Sequence, residues 1–530
     1  MKEKNIQRGR DAQWRVELRS RLNARQRGEI ERAQMPELEP EERLRNPRSE
    51  VNRGLTAEQV ASEASRCLDC PNPGCVTGCP VSIDIPGFIK ELERDDIDSA
   101  AAVLKHTSAL PAVCGRVCPQ EKQCESRCIY NKMYKKPVAI GYLERYAADH
   151  GNAAAASTAE PNGIKVAVVG SGPAGLSFAG AMAARGFDVT VFEALHEIGG
   201  VLKYGIPEFR LPNEIVDREI DQLRANGVRF ERDVIVGKTI SVDDLRKDGF
   251  RGIFVGSGAG LPRFMDIPGE NLNGVMSCNE YLTRINLMGA GREGFDTPVM
   301  RGRRVAVIGG GNTAMDAVRT ARRMGAEEAI VVYRRSEAEM PARVEEVHHA
   351  RQEGVTFMTL HNPIEYIGDE RGHVSAMRLQ RMELGEPDAS GRRSPVPVEG
   401  DIVELPVDLV IVSVGVSPNP IVPSSIEGLD VSRRGTIVVD DELMQSSISD
   451  IYAGGDIVRG GATVILAMGD GRRAALSMAE ALLSNNKEPL NLYYDETFLT
   501  NDCSCGGSDR RICRRRRQSC RSGFDRIQIY

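Results

Sequence analysis

Two stretches of this chain read as strand, glycine turn and helix in immediate succession. Each calls for a parallel sheet with a phosphate-binding turn at its edge. The first is "KVAVVGSGPAGLSFAGAMAARGFDVTVFE". Its apolar run (165–169) meets Gly170, Gly172 and Gly175 at G-x-G-x-x-G, with Pro173 and Ala174 opening the helix. Glycines there let the backbone approach a pyrophosphate, and the amide dipoles at the helix start favour its charge. Glu193 ends the next strand, where an acid binds a ribose hydroxyl pair. The second copy is "RRVAVIGGGNTAMDAVRTARRMGAEEAIVVYRR". Gly309, Gly311 and Ala314 give G-x-G-x-x-A around Asn312 and Thr313, and Arg334 and Arg335 stand where Glu193 stood. An acid there repels a 2′-phosphate whereas guanidinium groups grip it, so NADPH is expected over NADH. An exposed basic strand end is the competing reading, and the discriminating position favours the nucleotide.

Cysteines impose the second constraint. Cys67, Cys70, Cys75 and Cys79 follow C-x2-C-x4-C-x3-C with Pro80 behind, and "CGRVCPQEKQCESRC" carries Cys114, Cys118, Cys124 and Cys128. A zinc site asks for paired C-x2-C knuckles, and only Cys67 and Cys70 have that form. Three close cysteines and a fourth before proline instead echo the ferredoxin pattern, in which the fourth thiolate reaches another cluster. Two such blocks can exchange ligands and hold two clusters.

Disulfides are the weaker reading. The opening "MKEKNIQRGR" is charged with no apolar stretch behind it, so no secretory signal is expected. No window approaches a membrane span. A cytoplasmic location follows as the expectation, and structural disulfides are rare there. The net charge of −6 gives no reason to expect nucleic acid. The 530 residues leave room for several domains. Residues 1–50 are a charged arm, read as a solvated helix or partly disordered, and 51–150 form short helices around the cysteines. The small-residue stretch 151–163 is a linker. Alternating strands and helices follow, so the class is α/β with parallel sheets.

With these motifs in hand, the chain over roughly residues 35 to 495 resembles the small subunit of NADPH-dependent glutamate synthase. The same module is found in the large subunit of NADH-dependent ferredoxin:NADP transhydrogenase and in the N-terminal half of dihydropyrimidine dehydrogenase. Both cysteine blocks, "GSGPAGL", "GGVLKYGIPEFRLP", "GGGNTAMD" and "IYAGGDIVRGGATVILAMGDGRRAA" carry the resemblance. It implies a helical iron–sulfur domain followed by two Rossmann-like domains. FAD would bind residues 164–290 and 421–492, and NADPH an inserted domain at 291–420. It places Gly199, Gly200 and Arg210 along the flavin, Asp456 at its ribitol chain, and Thr463 and Val464 near the isoalloxazine. A turn aspartate is the plain alternative for Asp456. It also implies one 4Fe–4S cube on Cys67, Cys70, Cys75 and Cys128, and a second on Cys79, Cys118 and Cys124 completed by Glu144. Cys114 competes for that last place, and a surface carboxylate is the plain alternative for Glu144.

The function so implied is oxidation of NADPH, with electrons passing through FAD and two clusters to a partner. That partner is a glutamate synthase large subunit or, alternatively, a ferredoxin-reductase-like flavoprotein, and an oligomer is expected. No catalytic side chain is assigned, because hydride transfer needs geometry rather than an acid–base pair. No cysteine nucleophile for glutamine hydrolysis follows Met1, and little chain follows residue 490, so glutamate synthesis is expected to need a second subunit. A disulfide reductase is set aside because no cysteine lies between residues 300 and 420. A non-catalytic iron–sulfur scaffold leaves both nucleotide turns unexplained. The Cys/Arg-rich tail, 493–530, fits no metal pattern and is expected to be disordered.

Overall fold

The computed structural model describes residues 9–152, 159–389 and 391–484. The Cys/Arg-rich tail and part of the linker lie outside the described residues.

Short helices fill the N-terminal third because caps and prolines start them repeatedly. Thr56 and Gln59 form a capping box at the helix Ala57–Arg66, and Asp84 accepts from Gly87 N to start Ile85–Glu93. The latter buries Ile85, Phe88, Ile89 and Leu92, one face of a helix at 3.6 residues per turn. The charged arm is not solvated as expected. Arg15 Nη2 lies 2.6 Å from Asp69 Oδ1, and Arg27 Nη1 lies 2.9 Å from Glu93 Oε1. Arg43 Nη1 donates to Gln352 across the molecule. Arg15, Arg27 and Arg43 are docking groups, buried because each meets an acid or an amide oxygen, while Arg25, Arg45 and Arg48 stay exposed.

Five parallel strands build the first sheet, in the order Ile451–Ala453, Phe250–Val255, Lys165–Val169, Asp188–Phe192 and Arg229–Glu231. Helix Pro173–Ala183 lies against the long helix Val464–Ser484, and Phe178 stacks on Phe254 with centroids 4.4 Å apart. A second parallel sheet runs Val275–Ser277, Leu409–Val412, Arg304–Ile308, Glu328–Tyr333 and Thr356–Thr359. It lies within the sequence of the first, since Ile451–Ala453 returns to pair with Phe250–Val255. It also begins before residue 290, because Val275–Ser277 belongs to it.

A three-stranded antiparallel sheet, which the sequence reading did not foresee, joins the second body: His361–Gly368, Val374–Pro387 and Arg393–Pro406. Its Tyr366, Met377 and Leu379 pack with Ile308, Ile330 and Val332 in one core. No helix among the described residues is long and apolar enough to cross a membrane.

Candidate active site and iron–sulfur ligand groups

A continuous cleft of about 2210 Å³ runs between the two parallel-sheet bodies and under the cysteine domain. Gly170, Gly172, Pro173 and Ala174 border one part, with Glu193, Gly200, Asp456, Thr463 and Val464. Gly311, Asn312 and Thr313 border the other. The glycines divide their work. Gly170 holds φ +99°, and a Cβ there would stand 2.7 Å from the Gly256 carbonyl oxygen. A Cβ on Gly172 would meet nothing within 4 Å, so its bare backbone faces the cleft, as a pyrophosphate requires. Gly175, Gly199, Gly309 and Ala314 do not border the cleft, and Gly175 and Ala314 pack helix against strand behind it.

Side chains around the first turn are tightly committed. Glu193 Oε2 accepts from Ser171 N at 2.9 Å, and its Oε1 from Leu195 N at 2.9 Å, which fixes the acid at the strand end. Asp456 opens the helix Asp456–Arg459, and burial pushes its carboxyl up to about 6. Asp470, fully buried on the long helix, accepts from Gly455 N at 3.1 Å and from Arg459 Nε and Nη2 at 2.6 Å each. It shapes the turn that presents Asp456. Sequence reasoning missed it, although an acid between two glycines, after the apolar run 464–468, was a signal.

Arg210 needs a changed role. It borders the cleft, yet its Nη1 donates to both Asp316 oxygens, at 2.8 and 2.7 Å, and its Nε lies 3.0 Å from Glu346 Oε1. Its charge is therefore answered by the second body. Arg334 and Arg335 do not border the cleft. Arg335 is buried, with Nη2 donating to Asp388 Oδ2 at 2.6 Å and Nε to the Arg393 carbonyl at 2.8 Å.

The cysteines fall into two groups. Beyond the effect of burial, the Cys75 thiol is pushed up by Cys67, Cys128 and Cys70, and the Cys70 thiol by Cys128. These four are mutual neighbours, as the first cube asks. Burial raises the Cys79 and Cys124 thiols, a hydrogen bond with Cys114 and burial raise that of Cys118, and the charge of Glu144 is felt by all three and by Cys114 as well. Glu144 is buried, its Oε1 has no hydrogen-bond partner, and burial pushes its carboxyl up to about 8. Cys114 is buried beside them with its Sγ 3.5 Å from Met468 Sδ.

A zinc tetrahedron, with Zn–S of about 2.3 Å, holds its sulfurs about 3.8 Å apart. Among the described residues no cysteine group has its sulfurs all within 4.8 Å. The group that does come this close is Glu37, Glu345 and His349, where Arg43 and Arg343 already answer the carboxylates. The cysteines near the groups are free thiols. Two groups of cysteines and an orphaned buried carboxylate fit clusters rather than single ions.

The two halves of the site meet. Gln123 Nε2 lies 3.4 Å from Thr463 Oγ1, and Pro80, Val117 and Pro119, neighbours of Cys79 and Cys118, border the cleft. Residues 164–471 match the pyridine nucleotide-disulphide oxidoreductase family, and 43–156 match dihydropyrimidine dehydrogenase domain II, 4Fe-4S cluster. The glutamate synthase [NADPH] small chain of Azospirillum brasilense is 35% identical over 464 residues, 86% of this chain and 95% of that protein.

The chain belongs to the glutamate synthase small-chain family.

FAD, NADPH and 4Fe–4S clusters are the cofactors that go with that membership. The family is functionally mixed. The NADP(+)-dependent formate dehydrogenase subunit beta of Moorella thermoacetica is 38% identical, over 78% of this chain and 60% of that protein. FprA from Mycobacterium tuberculosis in complex with NADPH shares the fold of the nucleotide bodies. Its TM-score is 0.52 at 21% identity, over 61% of this chain and 86% of that one.

Proposed function

We propose that this chain is the electron-entry subunit of a glutamate synthase, taking electrons from NADPH and delivering them singly to a large partner subunit. The observation that carries the reading is the contact between the Gln123 loop and Thr463, which sets the Cys79–Cys118–Cys124 group beside the flavin end of the cleft. Bound FAD supplies the exchange between a two-electron donor and one-electron carriers. The chain's own residues do the holding. Gly172 and the start of helix Pro173–Ala183 receive the flavin pyrophosphate, Glu193 its ribose, and Asp456 its ribitol hydroxyls. Gly311, Asn312 and Thr313 receive the nicotinamide nucleotide. Cys79, Cys118, Cys124 and Glu144 hold the inner cluster, and Cys67, Cys70, Cys75 and Cys128 the outer one.

Burial supports this order. In the inner group Cys118 and Cys124 are buried and Cys79 half-buried, whereas in the outer group only Cys67 is buried and Cys70, Cys75 and Cys128 are half-buried, so the outer group is the more open to an incoming acceptor. The test is reconstitution. Purified anaerobically, the chain should bleach its flavin with NADPH and reduce ferricyanide, yet form no glutamate from glutamine and 2-oxoglutarate. Adding a glutamate synthase large subunit should restore glutamate formation. If that addition restores nothing while the isolated chain reduces a ferredoxin-reductase-like subunit, the glutamate reading fails and transhydrogenation replaces it.

A further inference from the structure

Directly after Cys128 the chain makes one short helix, Ile129–Lys132, and turns out of it through residues 133–136. The root of this segment is fixed on both sides of the outer cysteine group. Tyr130 is buried, and its hydroxyl donates to the Arg66 carbonyl at 2.7 Å, next to Cys67. The Arg127 carbonyl packs closely on Gly74, next to Cys75, where a Cβ would stand 2.7 Å from its oxygen. Lys135 N donates to the Tyr130 carbonyl at 2.9 Å and Tyr134 N to the Asn131 carbonyl at 3.3 Å, which closes the turn. Such a closure puts one residue in the left-handed conformation, where glycine is the usual occupant because a side chain is strained. Here it is Tyr134, at φ +55° and wholly exposed. Met133 and Ile129 on the same segment are exposed as well. An aromatic ring left in water on a strained residue costs the fold and gains it nothing.

We propose that this segment, centred on Tyr134, is the docking surface for the protein that accepts electrons from the outer cluster, and that the accepting face is acidic around an apolar pocket for the tyrosine. The inference rests on the electron-entry reading and gives the electrons their exit. Position is the first support. Electron transfer weakens steeply with distance, so an acceptor must seat itself beside the last carrier, and this segment starts at Cys128. Charge is the second. Between Glu125 and Glu144 the sequence holds Arg127, Lys132, Lys135 and Lys136 and no acid, in a chain whose net charge is −6. Lys135 Nζ donates at 2.6 Å to the Gly28 carbonyl, a neutral acceptor, and the neighbouring Glu29 is taken up by Arg25 Nε at 3.0 Å. A cationic patch of this kind steers an acidic face towards it and turns its own copies away. Preorganisation is the third. Arg66 Nη2 donates to the Lys136 carbonyl at 2.6 Å, so the far end of the segment is held as firmly as its root. A surface already in shape loses little entropy on docking. A tyrosine inside a basic rim is also the composition of a contact that dominates binding.

The experiment measures association and dissociation rates of a glutamate synthase large subunit on the full chain, purified anaerobically with its flavin and clusters. For the unaltered chain the association rate should fall steeply as salt rises. Tyr134→Ala should weaken the complex about tenfold or more, chiefly through faster dissociation. Lys132→Glu combined with Lys136→Glu should slow association about tenfold at low salt and remove most of the salt dependence. Every variant should still bleach its flavin with NADPH, and Tyr134→Ala should reduce ferricyanide at the unaltered rate, because a small acceptor needs no docking surface. Tyr134→Gly separates docking from folding. Glycine suits the left-handed turn, so this variant should resist urea at least as well as the unaltered chain, yet bind as weakly as Tyr134→Ala. Full affinity in Tyr134→Ala and in the double lysine variant overturns the surface while leaving the electron-entry reading intact. A dimer of the isolated chain that Tyr134→Ala breaks up gives the patch to a second copy and overturns the proposal likewise. Failure of the unaltered chain to bind the large subunit overturns the glutamate reading and the proposal together.

Discussion

Arg210 and Asp316 meet in two hydrogen bonds of 2.8 and 2.7 Å, both side chains buried, and so tie the flavin-side segment to the helix after the second glycine turn. The pair closes the cleft wall at the junction of the two nucleotide-binding bodies. Breaking one side of a buried pair leaves the other charge uncompensated, at a cost of about 3–5 kcal/mol. Arg210→Ala should therefore destabilise the protein by that amount in urea unfolding. The double variant Arg210→Ala with Asp316→Ala should recover a good part of the loss. Additive losses would mean that the two side chains do not depend on each other.

Iron content tests the grouping of cysteines. Two four-iron cubes require about eight irons and eight acid-labile sulfides per chain. Cys70→Ala and Cys118→Ala should each reduce this to about four, and the double variant to about none, with FAD retained in all three. Zinc in place of labile sulfide would reject the clusters altogether. Either single variant should leave flavin bleaching by NADPH intact but stop delivery to a protein acceptor, because both groups lie in series between flavin and acceptor.

The fourth ligand of the inner group is decided by comparing Glu144 with Cys114. Glu144 presents a buried oxygen without a hydrogen-bond partner, whereas Cys114 already packs on Met468. Glu144→Ala should change the electron paramagnetic resonance signal of one cluster and lower its iron. Cys114→Ala should leave both unchanged, and Cys114→Ser likewise. The reverse pattern would give the place to Cys114.

What could be read from the sequence was what local periodicity encodes. Gly170, Gly172 and Gly175 sit beside an apolar run, so strand, turn and helix were legible, and the short cysteine spacings marked which thiols to look for together. The missed features are long-range. Arg335 looks like a phosphate ligand until the hairpin arrives more than fifty residues later and supplies Asp388 and the Arg393 carbonyl. Arg210 lies in a flavin motif, and its partner Asp316 is on another domain's helix. The arm's arginines read as solvated because nothing nearby in sequence announces Asp69 or Glu93. The hairpin itself was partly visible. Apolar alternation in "VSAMRLQRMEL" and the turn residues of "PDASGRR" are strand and turn signals that the parallel-sheet expectation overshadowed.

Asp456 gives a prediction in pH. Burial raises its carboxyl from an ordinary value of 3.8 to about 6, with the charge of Asp470 adding to the rise. Between these values the folded chain carries a proton that the unfolded chain has lost. Stability must therefore fall as pH climbs from about 4 to about 6 and level off above. A shift of this kind is worth about 1–3 kcal/mol. In protein stripped of flavin, Asp456→Asn should remove that part of the slope and raise stability at pH 7 by a similar amount. The same change should weaken FAD binding, because an amide cannot hold ribitol hydroxyls as a carboxylate does. Urea unfolding of the flavin-free protein at pH 4.5 and pH 7, beside FAD titration at pH 7, measures both effects. Together they would identify Asp456 as a residue that costs the empty fold stability and returns it when the flavin is bound. An unchanged slope in Asp456→Asn would place the proton elsewhere.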